Sequence, residues 1–318
     1  MSYWTSMHDR VEAYLSTRRS LGYELRVEGG ELERFACFAE TRGHHSALTV
    51  ELALAWANAS QKGSALYRAR RLEIVRCLAK YCALFEPETE IPASGLLGPA
   101  HRRVTLHIYS EAEIANLLEA AGHLAPKDTL RPRTIRCFLG LLASTGLRVS
   151  EALHLTRNDV DFAAGVLTVW ETKFRKSRHV PLHYTTVEAL NDYALSRDRC
   201  VPCPQTPCFF LNDDGLPFRY RHARYAFDQL RRQLGWETQG TRRPRLYDLR
   251  HTFACHRLQL WYEEGVDVDW ALPFLSTYLG HGKVTDTYWY LTATPSLMAV
   301  VSARFERVAG AGQEVAHE

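Results

Sequence analysis

Little in this chain of 318 residues is extreme, and each shortfall excludes something. No stretch approaches the roughly 18 consecutive apolar residues of a membrane-spanning helix. The opening MSYWTSMHDR has no apolar run of the kind that directs secretion. Charge of one sign is not in surplus either: 39 Lys+Arg stand against 36 Asp+Glu, a net +3. Residues 1–98 hold 12 of each sign, so neither half is basic throughout, and any grip on a polyanion must come from local clusters. There is no GxGxxG or Walker-type glycine loop for a nucleotide, no acidic metal cluster, no internal repeat and no low-complexity tract. The expectation is a soluble, cytoplasmic protein that uses no cofactor, no metal and no membrane.

Disulfides are not expected in that compartment, so the eight cysteines read as reduced thiols. Cys200, Cys203 and Cys208 lie in CVPCPQTPC, whose Cys-x-x-Cys spacing suits zinc. A structural zinc site wants four ligands, usually as two pairs, and no second pair follows. The segment reads as a Pro-rich loop with free thiols.

What is present is an ordinary globular composition, 46% hydrophobic and 24% charged, long enough for two domains. Residues 9–85 read as four helices. Val11, Tyr14, Leu15 and Leu21 mark the first, ending near Gly22, and Leu32, Phe35, Ala36 and Phe38 the second. Leu52, Ala53 and Trp56 mark a short third, and Ser64 can cap a long fourth with Leu72, Val75, Leu78, Ala79 and Cys82 on one stripe. On that helix Arg70, Arg76 and Lys80 lie off the stripe, and Arg68 and Arg71 flank its start; a solvated face and a DNA-facing one both fit this pattern. Three prolines and two glycines between Glu86 and Arg103 then read as a linker, whose basic end, Arg102 and Arg103, could touch a phosphate.

The second domain opens with a capping box, Ser110-x-x-Glu113, ahead of Ile114, Leu117 and Leu118. A helix from about Pro132 closes at Gly146, with Arg148 just beyond. Residues 159–163, 166–171 and 178–182 read as a small antiparallel sheet, with Lys173 and Lys176 in its second loop. Helices resume at 185–197, then, after a short strand-like FFLN, at 220–234 and 246–260, with a further segment ending at Leu279. A C-terminal helix starts at Thr294-Pro295, before a loose tail. The whole is mainly α with a small antiparallel β-sheet (α+β): a helical domain over 1–90, a linker over 91–108, a second domain over 109–309 and a tail over 310–318.

Four spots are chemically unusual. Arg148 follows a helix-ending glycine, Lys173 sits on a hairpin, Arg250 lies in LYDLRHTFA, and His281 precedes Tyr290 by nine residues. A tyrosine is a poor nucleophile at neutral pH and needs such neighbours. TGLRVSEALHL (145–155), TKFRKSRHVPL (172–182), LYDLRHTFA (246–254) and LGHGKVTDTYWY (279–290) resemble, in order and spacing, the tyrosine recombinases or phage-integrase family.

The resemblance implies a helical core-binding domain that clamps DNA, followed by a catalytic domain. It also implies a site-specific recombinase that cleaves and rejoins strands through a 3′-phosphotyrosine, with double-stranded DNA as partner and a homotetramer on DNA that leaves room for other recombinase or accessory proteins, the protein being nucleoid-associated when bound. Arg148 and Arg250 match the phosphate-gripping arginines, Lys173 the lysine that protonates the leaving 5′-oxygen (Lys176 its runner-up), His281 the phosphate-bonding histidine and Tyr290 the nucleophile, with Tyr288 a competitor. Tyr247 stands where the family usually has histidine, and His251 matches a packing histidine. The motif wording is closer to transposon-associated members. Two rival readings are a catalytically impaired DNA-binding accessory subunit and a type IB topoisomerase-like nicking and closing enzyme.

Overall fold

A computed structural model describes residues 4–60, 63–100, 106–170, 177–236, 243–288, 290 and 302. The chain divides into two compact units, Met1–Val104 and Thr105–Glu318.

The first unit packs four helices: α1 (Met7–Ser20), α2 (Arg26–Thr41), α3 (Val50–Asn58) and α4 (Ala65–Cys82). Short polar side chains start three of them by accepting from otherwise unpaired amides: Ser6 from Asp9, Thr49 from Leu52, Ser64 from Tyr67. The α4 stripe of Leu72, Val75, Leu78, Ala79 and Cys82 is buried as expected, against Leu15, Phe35 and Trp56. One expectation fails here. Arg71 does not face outward: it is 5% exposed, its guanidinium lies 3.5 Å from the centre of the Trp56 ring, and Glu31 sits beside it at 3.7 Å. Residues 71, 75, 78 and 82 share one helical stripe, so Arg71 is carried into the core, where an aromatic face and a carboxylate compensate its charge.

The described part of the Pro- and Gly-rich stretch after α4 has no helix or strand, yet it packs on this unit. Arg10, fully buried, forms a two-pronged ion pair with Glu86, both bonds 2.8 Å. Glu90 bonds to Val50 N and Leu48 O, Arg76 donates to Pro92 O, and Leu97 joins the core. Hydrogen bonds, rather than periodicity, hold this segment in place.

The second unit opens with fully buried Tyr109, then α5 (Glu111–Gly122), started by the reciprocal Ser110–Glu113 cap, and α6 (Leu130–Thr145). Helix α6 is central, packing against α5, α8 (Tyr184–Cys200) and α10 (Asp248–Glu263). Between lie α7 (Val149–His154) and three antiparallel strands in chain order, β1 (Val160–Asp161), β2 (Val166–Val169) and β3 (Arg178–Pro181). Leu167 opposes Val180 and Val169 opposes Arg178, which turns Leu167, Val169 and Val180 into the core. The FFLN segment is not a strand: Leu211 makes an isolated bridge with Pro217, and Phe209 donates its N–H to Leu155 O. Helices α9 (Tyr220–Gln233), α11 (Val268–Leu279) and the short α12 (Thr285–Tyr288) complete the described part.

The mainly helical fold with one small antiparallel sheet is as expected. No helix among the described residues is long and apolar enough to cross a membrane. Cys200 and Cys203 are exposed free thiols, and among the described residues no group of three or more His, Cys, Asp or Glu could hold a metal ion.

Candidate functional site

Two left-handed glycines set the site's frame. Gly146 ends α6 at φ +62°, and a Cβ there would meet the Phe253 ring at 2.6 Å. Gly280 ends α11 at φ +69° in the same way. Just past Gly146, Arg148 is the N-cap of α7, and Glu151, three residues on, accepts its backbone N–H at 3.0 Å. Thus a short helix too brief to show a period fixes both the arginine and its carboxylate.

Glu151 is the hub. Its 8%-exposed carboxylate accepts from Arg148 Nη1 at 2.6 Å and from both terminal nitrogens of Arg178, at 3.1 and 2.9 Å. Burial works to raise its pKa, but the bonds and charges of Arg178 and Arg148 outweigh that and hold it below the usual carboxylate range. Arg178, the first residue of β3, also donates Nε–H to Tyr278 O at 2.7 Å, and Arg148 donates to Gly280 O at 2.8 Å. One carboxylate and two guanidiniums therefore tie α7, the base of the β2–β3 hairpin and the end of α11 together.

Gly280 also has this neighbour: a Cβ there would lie 2.6 Å from Arg178 Nη1 and 2.8 Å from its Cζ. A free arginine would swing away, but this one is held by Glu151 and Tyr278 O. Gly280→Ala is therefore expected to destabilise the protein by about 1–3 kcal/mol, from the positive φ and the displaced ion pair. Urea denaturation checks it, and an unchanged midpoint would rule out the tight fit.

Arg250 arrives from the first turn of α10 and is 2% exposed. It donates to Gly146 O and Leu279 O, both at 2.8 Å, so it bridges the ends of α6 and α11. Its Nε–H is buried with no acceptor at bonding geometry among the described residues. Burial, then the nearby Arg148, pull its pKa below the ordinary guanidinium value. His281 follows Gly280, its N–H accepted by Ser276 O, and its ring Nδ1 lies 2.7 Å from Thr287 Oγ1. Burial first, and then Arg250 and Arg148, push His281 down to about 4, so the ring is neutral at pH 7.

Tyr290 is 3% exposed, its ring stacked 6.0 Å from that of His281 at 19° and 5.4 Å from that of His251. Burial pushes the phenol up, while Arg250 works the other way. Tyr288 is 47% exposed and outside this cluster of rings. Tyr247, at the N-cap of α10 and also 47% exposed, sets its ring edge-on to His251 at 4.7 Å.

Of the residues singled out in the sequence, Arg148, Arg250, His281 and Tyr290 are brought together, with Tyr247 one ring further out. Lys173, Lys176, Arg102, Arg103 and the segment from Pro295, Ser302 apart, lie outside the described residues. On α4, Arg70 and Lys80 are exposed, Arg68 is half-buried, and Arg76 is half-buried on Pro92 O. Sequence reasoning missed Glu151, Arg178 and Thr287. Only Glu151 left a signal, standing three residues after the helix-starting Arg148. An oxyanion in this site would meet two donor forks, a neutral imidazole and a phenol.

Residues 109–296 match the phage integrase family. A Sinorhizobium fredii protein that carries the name integrase/recombinase y4rB is 41% identical over 308 residues, covering 95% of this chain and 98% of that one. Tyrosine recombinase XerC of Lacticaseibacillus casei is 30% identical, covering 90% of this chain and 88% of its own. Among solved structures, the Tn1549 transposon integrase in complex with transposon right end DNA superposes with a TM-score of 0.65 at 18% identity, covering 94% of this chain and 99% of that one. By sequence match and by fold, the chain belongs to the phage integrase family of tyrosine recombinases.

Proposed function

We propose that this chain performs site-specific strand exchange on double-stranded DNA for a mobile element, working in the cytoplasm as a tetramer on DNA, with room for accessory proteins. Arg148 and Arg250 grip the scissile phosphate, and His281 donates a hydrogen bond to it. The Tyr290 phenol attacks phosphorus, passing its proton to water as the Tyr–O–P bond forms and the P–O5′ bond breaks. The 5′-oxygen leaves with a proton from Lys173, giving a 3′-phosphotyrosine and a 5′-hydroxyl; a partner strand's 5′-hydroxyl then reverses the step. The helical domain over 1–90 clamps the duplex through Arg68, Arg70, Arg76 and Lys80, joined by Arg102 and Arg103 beyond it and by Lys176 in the catalytic domain over 109–309. Arg71 is left out because it is buried.

The observation that carries this reading is the convergence of Arg250 and a neutral imidazole on one buried phenol, with Arg148 beside that arginine and imidazole. Burial alone would make Tyr290 a worse nucleophile; the adjoining Arg250 favours its phenolate. The Tn1549 integrase, seen with transposon right end DNA, supports the mobile-element setting.

The test is a nicked suicide duplex carrying the DNA ends that flank the gene. Wild type is expected to give a denaturant-resistant protein–DNA adduct that Tyr288→Phe keeps and Tyr290→Phe loses. Loss in Tyr288→Phe alone would reassign the nucleophile. Tyr247 favours a second reading, a DNA-binding accessory subunit, because a phenol is a poorer proton carrier near pH 7 than the family's usual imidazole. Binding without any adduct would select it.

A further inference from the structure

We propose that Thr287 sets the tautomer of His281: its hydroxyl donates to Nδ1, which keeps the ring's one hydrogen on Nε2, free to donate to a phosphate oxygen. This rests on the function proposed above, in which His281 is a donor to the phosphate. Thr287 would be a positioning residue, acting through the imidazole.

The first observation is where Thr287 lies. It is fully buried, whereas Asp286 and Tyr288 on either side are exposed. The chain reaches it by turning after Gly280, with the N–H groups of Asp286 and Thr287 closing on Lys283 O and Val284 O. This brings a residue six positions after His281 back onto the imidazole, 2.7 Å from Nδ1. A buried hydroxyl without a partner is costly, and among the described residues the partner of this one is that nitrogen.

The second observation is proton accounting. A neutral imidazole has one N–H and one bare nitrogen, and the bond made at one nitrogen decides where the hydrogen sits. Burial, then Arg250 and Arg148, and more weakly Arg178, keep the ring neutral, with Asp286 opposing them among the described residues. If Nδ1 held the hydrogen and gave it to Thr287 Oγ1, the buried hydroxyl hydrogen would have no acceptor among the described residues, and Nε2 would be a bare acceptor. An acceptor is the wrong character for a nitrogen that must meet an anionic oxygen. With Thr287 donating, every hydrogen is used and Nε2–H is the donor.

The direct measurement is nitrogen-15 NMR of the full chain labelled at histidine, without DNA, with the His281 signal identified by its loss in His281→Gln. Wild type and Thr287→Ser are expected to show the hydrogen on Nε2. Thr287→Val, which keeps the buried shape and removes the hydroxyl, is expected to show a mixture or Nδ1–H. Nδ1–H in wild type, or an unchanged Nε2–H pattern in Thr287→Val, would overturn the proposal.

Adduct formation on the suicide duplex supplies the second arm. Loss of one hydrogen bond to the transition state corresponds to about tenfold in rate, so Thr287→Val should be slowed by about that factor and Thr287→Ser should recover. In a His281→Gln background the Thr287→Val change should have no further effect. An equal slowing in both backgrounds would make Thr287 a packing residue and refute the assignment. Failure of wild type to form any adduct would sink the strand-cleavage reading, while the NMR result would still decide the tautomer.

Discussion

Glu151→Ala should lower the rate of protein–DNA adduct formation by about 100-fold or more and destabilise the protein by about 3–5 kcal/mol. The carboxylate is buried between Arg148 and Arg178, so its removal leaves two guanidiniums facing each other with nothing between them. Arg148 would lose both bonds to the Glu151 carboxylate, one from its backbone N–H and one from its guanidinium, and among the described residues its guanidinium would keep Gly280 O. Among the described residues, the Arg178 guanidinium would keep only Tyr278 O. Adduct rates and urea denaturation measure the two effects, and a variant within threefold of wild type in rate would refute the hub. Glu151→Gln preserves shape and one acceptor oxygen, so it should fall between.

The same residue carries a pH signature. Its folded pKa is held below the unfolded value near 4.5, so its contribution to stability is fully present above pH 4.5 and is lost as pH falls through the folded value. That part of the acid limb should be missing in Glu151→Gln.

The second large effect belongs to the first unit. Arg10→Ala should destabilise it by about 3–5 kcal/mol, comparable with a domain's whole margin of about 5–15 kcal/mol. Arg10 is fully buried, holds Glu86 with two bonds and donates to Ser6 O, so truncation removes a paired guanidinium and both of its bonds from a buried carboxylate. The paired replacement Arg10→Met with Glu86→Leu should recover most of the loss, since it removes both charges and keeps the volume. Urea titration of the single and double variants decides it: a loss under about 1 kcal/mol in the single change would mean that water reaches the pair.

How far the sequence could be read depended on the range of the interaction. Helix stripes, the Ser64 and Ser110 caps and the left-handed Gly146 are local, and residues a few positions apart encode them. The four strings around Arg148, Lys173, Arg250 and His281 pointed to the family, and three of the four meet in the described structure. Helix α7 escaped because six residues show no period. Arg71 was misjudged because a charged residue on the edge of a stripe looks like surface until a Trp and a Glu from other helices are seen around it. Arg178 meets Glu151 across 27 residues and Tyr278 across 100, and Arg10 meets Glu86 across 76; no periodicity records such pairs.

The two arginines at the heart of the site lean on main-chain oxygens: Gly280 for Arg148, Gly146 and Leu279 for Arg250. A carbonyl is present whatever side chain is written at its position. A saturation scan of the gene would flag Glu151 and pass over these supports, reporting Leu279 only as a packing residue and the glycines only as turns. In that sense half of the scaffold beneath the guanidiniums is invisible to genetics. Gly146 and Gly280 are held in sequence by their backbone conformation and the lack of room for a Cβ, and nothing in their identity records the carbonyl that each supplies.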